Sequence, residues 1–303
     1  MKNKINLKIT VLLLIIAVFG TSKDLSAQKT KQFHADKPFT QEFSIKYEFE
    51  NSRIELKKVV SDRNGYIQVL TSHGLMRPNA GQFLYPGTLV NDIQYLPTSD
   101  KGITDITVID NQLVYVDDNA VLSNAWAGKL YSRHNLPATN LFEAGNNFEF
   151  LISDGLKLNL LKDSETLWEG ETGDKIRDIK FDSANNQYWI LGEKSVSVCS
   201  PSEMKVEKVL TNSNLTSIEV AGDKLFVGTS DGYFKVDTKS KKQVGDVQKK
   251  LPWTEITTIS EIDGKVWFGS TRGAFMLNDA GKYDYYASKR WIPSDNVLDI
   301  AKG

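Results

Sequence analysis

Two stretches of this chain match each other without a gap. One runs LTSIEVAGDKLFVGTSDGYFKVD from Leu215 to Asp237, the other LPWTEITTISEIDGKVWFGSTRGAFMLN from Leu251 to Asn278. Ile259 follows Ile218 by 41 positions, and Gly273 follows Gly232 by the same 41. Each stretch reads as a strand, a tight turn, a second strand, another turn and a third strand. A unit this small cannot bury its apolar faces alone, so it must stack on copies of itself. A period of roughly 40 residues with about four short strands per unit predicts an all-β chain built as a β-propeller.

Four weaker units precede this pair, at 59–77, 103–124, 139–161 and 176–199. First-strand anchors fall at Ile106, Leu141, Ile179, Ile218, Ile259 and Ile300, with gaps of 35, 38, 39, 41 and 41 residues. The expectation is a propeller over 42–303 with about six four-stranded blades. Val297–Gly303 reads as the first strand of a further blade, so an incomplete seven-bladed ring is expected, the chain being the front part of a longer protein. Residues 42–50 alternate in polarity and read as a strand that could close the ring.

Each unit has a physical logic. The first turn is rich in Asp, Asn and Gly, as at Asp62–Gly65, Asp182–Asn186 and Asp263–Gly264, residue types that accept the positive φ of tight hairpins. The second strand is apolar on both faces, as in Leu225-Phe226-Val227 and Val266-Trp267-Phe268, which suits a strand sandwiched between neighbours. The second turn carries Gly74, Gly155, Gly232 and Gly273, while units two and four place Ala120 and Ser195 there. Trp189 and Trp267 lie in second strands and read as core.

The chain opens with Lys2, Lys4 and Lys8, an apolar run from Ile9 to Phe19, and small residues ending at Ala27. That is the pattern of a secretory signal peptide over 1–27, too short in its apolar part to span a bilayer comfortably. The rival reading is an uncleaved anchor. Residues 28–41 are polar and lysine-rich and read as a flexible leader. Without 1–27 the chain carries 33 basic and 37 acidic residues, a net charge of −4. This balance suggests neither nucleic acid nor an anionic membrane as partner, and no membrane insertion is expected after cleavage. The address is periplasmic or secreted. The single cysteine, Cys199, excludes an internal disulfide and reads as a small buried strand residue.

With the repeat laid out, a family resemblance emerges. Ile292-Pro293-Ser294-Asp295-Asn296-Val297, Leu251-Pro252 before Ile259, Leu136-Pro137 before Leu141, Gly228-Thr229-Ser230-Asp231-Gly232 and Gly269-Ser270-Thr271-Arg272-Gly273 together resemble the propeller repeat of hybrid two-component regulators. The likeness is strongest over 215–303 and weaker over 54–200. It implies a seven-bladed propeller of the kind that serves as a periplasmic sensor. The same repeat occurs in secreted proteins, including polysaccharide-active ones, so it implies fold more than function.

No catalytic, metal or cofactor signature stands out. His34, His73 and His134 are scattered, without a ligand-pair spacing. Asp62–Gly65 and Asp117-Asp118-Asn119 read as hairpin turns rather than calcium loops. There is no Gly-x-Ser-x-Gly elbow. The ligand signal is aromatic. Trp253 and Trp291 lie in loops that enter a blade, beside Glu255 and beside Lys289-Arg290. A tryptophan flanked by charges can stack on a sugar ring while the charges hold its substituents. Wedging between blades is the competing reading of both tryptophans. These residues predict a ligand-binding module of sensor type, with a glycan or other small extracellular ligand. The alternative is an accessory propeller of a secreted polysaccharide-active enzyme whose catalytic domain lies downstream of Gly303.

Overall fold

The computed structural model describes Ala35, Lys37 and most of 54–302, omitting 62–66, 73, 77–102, 110–111, 118–119, 126–128, 136–138, 163–164 and 288–290. The signal segment, nearly all of the leader, the strand expected over 42–50, the Asp62–Gly65 turn, His34, His73, Lys289 and Arg290 therefore lie outside the described residues. Within Asp36–Gly303 the described residues form antiparallel sheets and almost no helix.

The first sheet has three strands, β1 (Leu56–Ser61), β2 (Ile67–Thr71) and β3 (Gly74–Met76). Five four-stranded sheets follow. The second is β4 (Ile103–Ile109), β5 (Gln112–Asp117), β6 (Ala120–Ala125) and β7 (Lys129–Asn135). The third is β8 (Leu141–Ala144), β9 (Glu149–Ser153), β10 (Lys157–Lys162) and β11 (Glu165–Glu171). The fourth is β12 (Ile176–Asp182), β13 (Gln187–Gly192), β14 (Ser195–Ser200) and β15 (Lys205–Thr211). The fifth is β16 (Leu215–Ala221), β17 (Lys224–Thr229), β18 (Gly232–Asp237) and β19 (Gln243–Gln248). The sixth is β20 (Ile256–Ile262), β21 (Lys265–Ser270), β22 (Gly273–Leu277) and β23 (Tyr283–Tyr286). Every sheet is a meander in chain order, which is the propeller blade.

The expected blade count is corrected. Five complete blades stand among the described residues, not six, and the first unit contributes three strands. Val297–Lys302 is not a strand either. It is an extended segment held to the sixth blade by Val297 N–H donating to the Ser270 carbonyl at 3.0 Å.

Five separate cores lie between successive sheets. Leu70, Leu75, Ile106 and Tyr115 join the first and second sheets, and Val114, Val116, Phe142 and Phe150 the second and third. Leu151, Leu158, Ile179 and Tyr188 join the third and fourth, and Trp189, Ile218 and Val227 the fourth and fifth. Phe226, Tyr233, Phe268 and Phe275 join the fifth and sixth. Each blade thus hides its faces against its neighbours, which is why β13 is buried along its whole length. Cys199 is fully buried in one of these cores, and burial pushes its thiol up to about 12, which makes it inert.

The turn chemistry follows the sequence. Gly74, Gly155, Gly232 and Gly273, the second-turn glycines, all have φ between 101° and 125°. A Cβ at Gly232 would also lie 2.2 Å from the Gln248 carbonyl oxygen. Two placements differ from expectation. Trp267 is only half-buried, because it lies on the face of the sixth sheet opposite its shared core, beside Tyr286 at 5.6 Å. The third-unit anchor is Phe142 rather than Leu141, since Phe142 takes the buried place that Ile106 and Ile179 hold in their units.

Candidate functional site

The innermost strands share one irregularity. In β1, β4, β12, β16 and β20 the pairing with the next strand skips one residue: Lys57, Thr104, Arg177, Thr216 and Thr257. Each is a β-bulge, a device that re-aims a side chain out of the regular pleat. All five line one axial cavity of about 320 Å³. Asn140 from the third unit and Leu298 from the final segment line it at the matching positions. Seven chain segments therefore surround the axis.

Bulged side chains stitch one unit to the next. Thr104 Oγ1 donates to the Thr139 carbonyl at 2.8 Å, Arg177 Nη1 to the Leu215 carbonyl at 3.0 Å, and Thr257 Oγ1 to the Val297 carbonyl at 2.5 Å. Thr216 occupies the same place, yet its hydroxyl is buried without a partner, as is the Ser217 hydroxyl beside it. A Cβ on Gly228 would lie 2.5 Å from Ser217 Oγ and 2.9 Å from Ile256 Cγ2. Only glycine leaves room for the bulge there.

The next residue on each inner strand is mostly polar. Asp105 accepts from Ile106 N–H at 2.8 Å and Phe142 N–H at 3.1 Å, and pairs with Lys58 Nζ at 2.9 Å. Asp299 repeats the pattern, accepting from Ile300 N–H at 2.9 Å and from Val59 N–H at 2.8 Å. That last bond joins the end of the described chain to its first strand, so the carboxylate that links successive units also closes the ring.

Two residues further along lie Glu143, Lys180 and Glu219. Lys180 Nζ sits 3.4 Å from Glu219 and 3.9 Å from Asp178. The Asp178 carboxylate is the main cause that holds the Lys180 ammonium well above its ordinary range, against the opposing effect of burial. Burial pushes Glu143 up to about 7, although it accepts a bond from Phe181 N–H at 3.1 Å. Burial likewise raises Glu219 and Asp299. For Lys58, burial lowers the value, and the neighbouring Asp105 charge helps reverse it into a net rise.

Of the residues singled out from sequence, Trp253 and Glu255 sit at the same end of the sixth blade as the bulges. Ile256, at the start of β20, pairs with Ser270 just before the β21–β22 turn. Trp253 Nε1 donates to Thr271 Oγ1 at 2.8 Å and to Glu255 Oε2 at 3.2 Å, while the Arg272 guanidinium lies 4.6 Å from the Trp253 ring centre. Trp253 and Glu255 are thus brought together, with Thr271 and Arg272 as partners that loop spacing did not suggest. Trp291 belongs to a different cluster. It stands edge-on to Tyr286 at 5.1 Å, and its Nε1 donates to the Lys37 carbonyl at 3.2 Å. Lys37 in turn pairs with Asp284 at 2.6 Å, and its N–H donates to the Tyr285 carbonyl, so this part of the leader lies along β23. Among the described residues no cluster of three His, Cys, Asp or Glu could hold a metal ion.

The axial residues escaped the sequence reading. Their signal was a polar residue inside an apolar inner strand, recurring at Asp105, Asp178, Ser217, Thr258 and Asp299.

Neither the protein-family models nor the curated proteins include a match to this chain. Solved structures do share its fold. Virginiamycin B lyase of Staphylococcus aureus, solved as an inactive variant with quinupristin, matches with a TM-score of 0.61 and 12% identity, over 80% of this chain and 87% of that one. The extracellular domain of a B. thetaiotaomicron protein described as a hybrid two component system matches with a TM-score of 0.61 and 15% identity. That match covers 83% of this chain but only 36% of the other. PorZ, a surface component of the type-IX secretion system of Porphyromonas gingivalis, matches with a TM-score of 0.58 and 13% identity, over 82% of this chain and 34% of that one. At such identities the likeness shows the propeller fold, the one seen in the extracellular part of a two-component system protein.

Proposed function

We propose that this chain is an extracytoplasmic ligand-recognition module of sensor type, whose ligand enters the axial cavity and is glycan-like. The observation that carries the reading is the set of five bulges that turn side chains from successive units toward one polar cavity. A volume of about 320 Å³ falls in the range of small-molecule sites, at its small end. The wall offers hydroxyl, amide and charged groups beside apolar ones such as Leu70 and Phe142, and the polar groups match a hydroxyl-rich ligand. The exported address rests on the 1–27 segment and is in keeping with the extracellular and surface proteins that share the fold. Trp253, with Glu255 and Arg272, supplies an aromatic contact at the same end of the blades. Trp291, which Lys289 and Arg290 precede in the sequence, would be a second aromatic contact.

The test is a glycan array with the purified chain, followed by binding isotherms of the best ligand to Trp253→Ala and Trp291→Ala. A loss of about tenfold in the Trp253 variant supports the rim contact, since such aromatic contacts are worth about 0.5–2 kcal/mol. No ligand on the array, or unchanged affinity in both variants, removes this site.

A further inference from the structure

We infer that the mouth of the axial cavity recognises an anionic head group, so that the ligand is an acidic rather than a neutral small solute. This deepens the cavity reading above and rests on it.

The charges of the cavity are layered. At the level of the bulges the lining is Lys57, Thr104, Asn140, Arg177, Thr216, Thr257 and Leu298, which includes two cations and no carboxylate. Lys57 and Arg177 are both exposed. Among the described residues neither forms an ion pair, and Arg177 spends one N–H on the Leu215 carbonyl.

Asp105, Asp178 and Asp299 lie one position further along the strands and Glu219 three, and they are already engaged. Asp105 serves two backbone N–H groups and Lys58, and Asp299 serves two backbone N–H groups. Asp178 accepts from Ile179 N–H and faces Lys180, and Glu219 pairs with Lys180. Lysines and backbone N–H groups therefore engage these carboxylates inside the ring, while Lys57 and Arg177 at its opening have no acid partner among the described residues.

A guanidinium and an ammonium on the lining of one concave opening form an anion site. Arg177 keeps donors free for bidentate contact with a carboxylate or sulfate, and Lys57 adds a point charge from the first unit.

The experiment compares glucuronate, glucose 6-sulfate and glucose by titration calorimetry with the full chain and with Lys57→Gln, Arg177→Gln and the double variant. At least one anionic sugar should bind about tenfold or more tightly than glucose, as loss of a charge-assisted contact requires. The preference should shrink as salt is raised and vanish in the double variant. Which of the two sugars is preferred separates carboxylate from sulfate recognition. Equal binding of all three, or a preference that survives in the double variant, overturns the inference. If the array yields a neutral ligand while neither anionic sugar outbinds glucose, the acidic-ligand inference falls and the cavity reading stands. If no sugar binds in either experiment, both fall. Lys57→Gln alone alters one exposed side chain and keeps the test usable should Arg177 variants fold poorly.

Discussion

The inner and the second strands of each blade come from the same repeat, yet they answer to different constraints. The second strands β9, β13 and β17 are packed on both faces and read almost uniformly apolar. The inner strands keep a buried apolar anchor, at Ile106, Phe142, Ile179, Ile218 and Ile259, with a second at Ile103, Ile176, Leu215 and Ile256, and vary the residues between and after them. Bulged and following positions carry Lys, Thr, Asn, Arg, Asp and Ser in different units. Stacking fixes the second strands. The axis, which no blade covers, leaves the inner strands free to diverge, and chemistry collects there.

This contrast can be broken most severely from the second strands. Phe268 is fully buried and touches the rings of Phe226, Tyr233 and Phe275. Phe268→Ala should cost about 3–5 kcal/mol in chemical denaturation. A cost below that of any axial substitution would reverse the proposed division of labour.

Glu143 sharpens the contrast through pH. Its value of about 7 in the fold lies above the ordinary 4.5, so the folded state holds the proton longer than the unfolded chain. Its contribution is therefore present below pH 4.5 and lost as pH rises through about 7. Glu219 and Asp299 shift the same way. Glu143→Gln should gain about 2 kcal/mol on the parent protein between acid and mildly alkaline pH, with its bond from Phe181 N–H retained. Parallel stability curves for the two proteins would contradict the buried placement of this carboxyl.

Gly228→Ala tests the bulge itself. The added methyl meets Ser217 Oγ and Ile256 Cγ2, and a cost of about 1–3 kcal/mol is expected. A neutral effect would mean that the bulge is loose. Asp299→Ala should cost about 1 kcal/mol by freeing Val59 N–H, the bond that closes the ring. Lys302→Ala, which removes an exposed ion pair with Asp263, should leave the unfolding midpoint unmoved.

The same contrast explains what could be read from the sequence. Blade faces repeat, so Gly232 and Gly273, and Phe226 and Val266, announced strands and turns through their spacing. The turn glycines do adopt the left-handed backbone that the spacing requires. Blade count was harder, because a first strand such as Val297–Ile300 has the residues of a strand but pairs only in part. The axial site was hardest. A bulge is a property of pairing between two strands, and nothing in Ile176-Arg177-Asp178 alone shows that Arg177 leaves the pleat. Tryptophans drew attention instead, and the structure gives Trp253 and Trp291 separate sets of partners.

The central claim, that ligand enters between the inner strands, is tested most directly at Leu298. This residue lines the cavity and is 48% exposed, so Leu298→Trp should narrow the opening without disturbing a core. The account predicts an intact unfolding midpoint and a loss of at least about tenfold in affinity for the ligand selected on the array. Undiminished binding to a folded Leu298→Trp protein would place the ligand elsewhere and contradict it.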